Sequence, residues 1–232
     1  MGEPLARDFY TRPADALAPD LLGRLLFREV GGRLLAGRIV EVEAYLGEED
    51  AASHAFRGPT RRNRSMFGPP GHAYVYLIYG VHYCLNIVSG PPGKGEAVLI
   101  RALEPAAGIE MMRSNRGGQP LENLTNGPGK VCQALGIDGG LDGHDLCVGQ
   151  QLWLEAGKAP EETICAGPRV GVRGDDRALK RPWRFFLDGN PYVTRTSLNK
   201  KAFTYSGRAS KAQRTYRHTA LPSAKGISHD DE

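Results

Sequence analysis

The sequence predicts a single α/β (α+β) domain organised around β-hairpins, and three observations lead to that class. The 232 residues are 41% hydrophobic, enough for one sizeable core. Segments of alternating apolar and polar residues recur and are joined by glycine-containing turns, the pattern of antiparallel strands. Between them lie only short stretches with helical spacing, and no internal repeat is visible.

In order, Leu17, Leu21, Leu22 and Leu25 form an apolar stripe that predicts a helix within residues 13–26, with its start at Pro19. A hairpin follows, Leu25 to Val30 and Arg33 to Tyr45 about a Gly31-Gly32 turn. In its second strand Val40, Val42 and Ala44 point one way, while Ile39, Glu41, Glu43 and Tyr45 share the other face. Residues 46–73 form a loop rich in Gly, Pro, Arg and Asn, and a loop this long in a small domain is a functional signal. Two strands, Ala73 to Leu77 and His82 to Val88, then enclose a tight reversal at Gly80 with Tyr79 at its tip. A strand from Ala97 to Leu103 carries Arg101. Helices are expected at 105–115 and 130–135, the second opened by Asn126-Gly127-Pro128-Gly129-Lys130. Strands near 151–155, 168–172 and 183–187 complete the body. The catalytic unit is expected to end at about 196, with 197–232 a basic, flexible tail.

Composition narrows the function. No run of about 18 apolar residues is present, so no membrane span is expected. The start MGEPLARDFYTR has neither the apolar region of a secretory signal nor the myristoylation pattern. Cys84, Cys132, Cys147 and Cys165 are widely spaced and are expected as reduced thiols rather than zinc ligands. Chemistry without metal or cofactor is the expectation. The formal charge of +4 is uneven, since residues 195–232 hold 8 Lys and Arg against 3 Asp and Glu. A polyanionic partner fits such a tail, though charge alone is weak support for one.

The residues between Arg38 and Asn86 carry the chemistry. A carboxylate on a strand is usually solvated, but Glu43 shares its face with Tyr45, and an aromatic neighbour that limits water readies a carboxylate as a base. Glu41 lies on the same face, and the residues alone do not separate the two. Tyr74, Tyr76 and Tyr83 suit a sheet on propensity alone. Tyr79 at an exposed apex has no core to fill and is better explained by a partner. Asn86 interrupts an apolar run and must find hydrogen-bond partners. There is no GxSxG elbow and no P-loop, and Lys94 and Lys130 lie in glycine-rich loops outside the cluster. A water activated by a carboxylate remains. Arg57, Arg61, Arg62 and Lys130 are candidate phosphate contacts.

Taken in order, RIVEVEAYLGEEDAASH, RNRSMFGPPGHAYVYLIYG, CLNI, LIRALEP, NGPGKVCQALGI, RVGV and RPWRFF resemble the alkyladenine (3-methyladenine, methylpurine) DNA glycosylase family, from about Pro4 to Val193. The resemblance implies one compact domain around a curved antiparallel sheet with a protruding hairpin that enters DNA. It implies Glu43 as general base and Arg101 as a residue that helps hold the catalytic water and the lesion's backbone. Tyr45, His54 and Tyr76 would sandwich a flipped base, Asn86 would disfavour the 2-amino group of guanine, and Tyr79 would fill the vacated stack. Val81 and His82 depart from the bulkier pair expected of vertebrate members. The implied activity is monofunctional: excision of alkylated or deaminated purines from double-stranded DNA, leaving an abasic site without strand cleavage. A monomer is expected, cytoplasmic in a bacterium and nuclear in a eukaryote, and not secreted. The rival readings are a lesion-binding protein without turnover and an RNA-binding module.

Overall fold

The computed structural model describes residues 2–207. Nine strands form one sheet in which every pairing is antiparallel. Helix α1 (Ala14–Leu21) precedes the hairpin β1 (Leu25–Val30) and β2 (Arg33–Leu46). Next come β3 (Ala73–Ile78), β4 (His82–Ser89), β5 (Glu96–Ala107), α2 (Ile109–Asn115) and α3 (Pro128–Leu135). The chain continues through β6 (Leu152–Glu155), β7 (Ile164–Gly167), α4 (Asp176–Lys180), β8 (Arg184–Leu187) and β9 (Phe203–Thr204). The order across the sheet is β3-β4-β5-β2-β8-β7-β9, with β1 also paired to β2 and β6 to β1.

Strand β2 organises the rest. One edge pairs with β5 almost throughout, whereas the other pairs with β1 through residues 33–38 and with β8 through Glu41–Glu43. The register against β5 slips between Ile39 and Val42. Such a bulge re-aims side chains, and it breaks the strict alternation expected of this strand: Ile39 joins Val40 and Val42 in the main core, while Glu41 and Glu43 turn to Arg101.

Other differences from the sequence reading have local causes. Helix α1 starts at Ala14 rather than Pro19, because Glu96 accepts the Ala14 N–H at 2.8 Å and the Pro13 carbonyl accepts the Ala16 and Leu17 N–H groups. Residues 105–107, expected as helix, stay in β5 because they pair with Ala36 and Gly37. Gly37 permits that approach, since a Cβ there would lie 2.9 Å from the Leu103 Cβ. The strand expected at 168–172 falls at Ile164–Gly167 instead, and 168–173 is irregular because its polar groups are spent on other elements, as described below. Residues 197–207, assigned from sequence to the tail, contain a 3-10 turn (Ser197–Lys201) and strand β9, which pairs with β7. The remainder of that tail lies outside the described residues. No described helix is long and apolar enough to cross a membrane.

Candidate active site

A cavity of about 530 Å³ opens between the β3–β4 hairpin, the loop after β2 and the loop before α4. Its lining includes Tyr45, His54, Met66, Tyr74, Tyr76, Tyr79, Cys84, Asn86, Arg101 and the segment Val170–Arg173. A small second cluster of buried residues, Ala55, Met66, Tyr74, Val88 and Ala97, packs under Tyr45 and Tyr76 and gives that wall a solid backing.

Glu43 is fully buried directly behind this lining. One carboxylate oxygen accepts the Val170 backbone N–H at 2.7 Å, and the other accepts the Tyr45 hydroxyl at 2.9 Å. Arg101 places Nη1 3.2 Å from that second oxygen. All three partners line the cavity. Glu41 is also fully buried but is saturated elsewhere: Arg184 donates to it at 2.8 Å, and Thr194 donates through its N–H at 2.9 Å and its hydroxyl at 2.6 Å. Neither Arg184 nor Thr194 reaches the cavity. Of the two glutamates, Glu43 is the one whose hydrogen-bond partners line the cavity, while Glu41 reaches it only through Arg101.

Arg101 is 6% exposed. Burial works against its charge, yet Glu43 and Glu41 beside it raise its pKa above the ordinary guanidinium value. Tyr45 is buried against Glu43, and both facts push its hydroxyl well above the usual tyrosine range, so it stays a donor. Its ring lies under the Arg169 guanidinium, 4.6 Å from centroid to Cζ. Arg169 is itself gripped by Asp50 at 2.5 and 2.7 Å and donates to the Ala44 carbonyl at 3.0 Å and the Ala178 carbonyl at 3.1 Å. This buried pair ties the loop after β2 to the irregular 168–173 segment.

The other aromatics of the lining contact one another. His54 Nδ1 is 2.9 Å from the Tyr74 hydroxyl. Partial desolvation first, and then Arg62, lowers the pKa of His54, which keeps some solvent exposure. The His54 and Tyr76 rings are 4.4 Å apart at 71°. A planar guest lying on one of these two rings therefore meets the other with its edge. Asn86 donates to the Tyr74 carbonyl at 3.1 Å, which turns its amide oxygen away from that bond. Tyr79 is 81% exposed at the hairpin tip, with φ 53°, ahead of Gly80 at φ 71°.

The structure thus gathers Glu43, Arg101, Tyr45, His54, Tyr76, Asn86 and Tyr79 at one cavity. The four cations expected at phosphates stand apart from it. Arg57 and Arg61 are exposed on the loop, Arg62 donates to the Leu77 carbonyl at 2.7 Å, and Lys130 bonds Asn126 at 2.7 Å. Sequence reading missed the anchoring parts: Tyr74 as holder of His54, the Asp50–Arg169 pair, and the Val170 N–H. Only RVGV among the motifs pointed at the last two.

Comparison with known proteins agrees with this geometry. The family model described as "Methylpurine-DNA glycosylase" matches residues 8–191. A protein of Carboxydothermus hydrogenoformans is 50% identical over 193 residues, covering 82% of this chain and 98% of its own length. A Chlorobaculum parvum protein is 49% identical over 196 residues, covering 84% and 92%. One from Methanocella arvoryzae is 48% identical over 192 residues, covering 82% and 96%. All three carry the name "Putative 3-methyladenine DNA glycosylase".

Proposed function

The chain belongs to the methylpurine-DNA glycosylase family, and on that premise we propose that it flips alkylated or deaminated purines out of duplex DNA and hydrolyses their N-glycosidic bond. The observation that carries this reading is the fully buried Glu43 carboxylate, held by three groups that all line one aromatic cavity.

The chemistry follows from the geometry. A base within a duplex is out of reach, and extruding it costs roughly a few kcal/mol, less where damage has weakened its pairing. Stacking on Tyr45, Tyr76 or His54 returns about 1–3 kcal/mol per ring. A cationic alkylpurine gains more from the electron-rich faces. Tyr79 fills the vacated gap.

A carboxylate accepts about four hydrogen bonds. Val170, Tyr45 and Arg101 account for three, which leaves one acceptor position for a water drawn in from the cavity. Glu43 orients and deprotonates that water for attack at C1′, a contribution of about 10²–10⁴-fold. Its charge also favours the oxocarbenium-like sugar. An alkylated base leaves as a neutral purine because its positive charge is discharged when the bond breaks. Among the described residues no lysine lines the cavity, so the reading includes no Schiff base and no strand cleavage.

The test is single-turnover base release from a duplex carrying one 3-methyladenine, 7-methylguanine or hypoxanthine, comparing the native chain with Glu43→Gln. Release by the native chain, lost in the variant while lesion binding is kept, supports the reading. Binding without release by the native chain would instead make this a damage-marking protein.

A further inference from the structure

Two arginines line the cavity, and only one is committed. Arg101 is buried and held between Glu43 and Glu41. Arg173 is exposed at the rim, and among the described residues it forms no hydrogen bond or ion pair. Its place is nevertheless well defined. Three residues earlier the Val170 N–H is fixed on Glu43, and Arg169 is clamped by Asp50. One residue later, a Cβ on Gly174 would lie 3.0 Å from the Ala178 Cβ and 3.3 Å from the Ala51–Ala52 peptide. The segment is therefore pressed against the cavity wall on both sides of Arg173. The backbone that carries this free guanidinium is thus held at a set position relative to Glu43.

Charge decides what it meets. A cationic purine entering the cavity is repelled by an unpaired guanidinium, whereas the phosphodiester that accompanies the extruded sugar to the rim is attracted by it. The planar fork of an arginine matches two phosphate oxygens. We propose that Arg173 binds the backbone phosphate next to the extruded nucleotide and so positions the sugar over Glu43, an assignment that rests on the glycosylase reading above. It differs from Arg62 and Lys130, each of which already donates one hydrogen bond within the protein and does not line the cavity.

The experiment measures binding to lesion duplexes across a salt series, in the Glu43→Gln background so that the substrate persists. Arg173→Gln and Arg173→Lys are compared on duplexes carrying cationic 7-methylguanine or neutral hypoxanthine. The expected result is a salt slope shallower by about 1 in Arg173→Gln, with affinity lost for both lesions, less for the cationic one, and a slope restored by Lys. An unchanged slope, a Lys variant no better than Gln, or a loss confined to one lesion would overturn the assignment. Base release by the otherwise native chain is scored separately. Its absence would defeat the glycosylase reading, while the slopes would still decide whether Arg173 contacts phosphate.

Discussion

The Tyr45 hydroxyl donates to Glu43 at 2.9 Å, so two residues two positions apart on one strand join the proposed base to the pocket wall. Tyr45→Phe keeps the ring and removes the donor. A hydrogen bond to a charged group is worth about 1.5–3 kcal/mol. Single-turnover release should slow about tenfold, with lesion affinity within a few-fold of native. An unaltered rate would mean that the hydroxyl has no part in readying the carboxylate.

Glu41 is predicted to act on stability before chemistry. It is buried against Arg184, Thr194 and Arg101. Taking one partner from a buried ion pair costs about 3–5 kcal/mol, so Glu41→Gln should lower the urea midpoint sharply. Glu43→Gln should do so less, since its one direct cation also keeps Glu41. Equal midpoints for the two variants would contradict this division of roles.

His54 gives the fold a pH dependence of known sign. Its pKa is lowered in the folded chain by burial and by Arg62, below the unfolded value of about 6.5. The folded state therefore resists protonation. The associated stability is fully present above about pH 6.5 and is lost as pH falls through the lowered folded value. Unfolding free energy measured from pH 8 to pH 5 should drop more steeply for the native chain than for His54→Gln. Parallel curves would refute it.

Tyr79 occupies left-handed backbone at φ 53° while remaining 81% exposed. That conformation costs a non-glycine residue about 1–2 kcal/mol, and no core contact offsets it. Tyr79→Gly should thus be at least as stable as the native chain. Release from a fully paired lesion duplex should fall, and release from a lesion in single-stranded DNA should fall less. A variant that excises equally from both would remove the wedge role.

Local pattern made part of this molecule legible. The β1–β2 hairpin is set by alternation and by Gly31 and Gly32 at φ 57° and 68°, and its residues pair where the sequence placed them. The cavity residues were likewise named, because a strand carrying Glu43 and Tyr45 and a hairpin carrying Tyr76 and Tyr79 are local features. What sequence left open depended on distant partners. Glu41 and Glu43 share one face of the strand and, besides the Tyr45 hydroxyl on Glu43, are told apart by Arg184, Thr194 and Val170, more than 120 residues away. Tyr74 looked like sheet propensity until its hydroxyl reached His54. Residues 168–172 read as a strand, yet Arg169 and Val170 serve the buried carboxylates of Asp50 and Glu43 instead.

Strand β2 is bonded along both edges and most of it is buried, and it also carries Glu43. Amide protons there exchange only when the whole domain opens, whereas those at the β3–β4 tip, exposed at Tyr79 and Val81, exchange through local fluctuation. The machinery is therefore divided by rigidity. On the proposed reading, the hairpin tip that inserts can move without disturbing the strand that carries Glu43, and heat or denaturant that frays the tip first would leave the buried centre assembled but unfed.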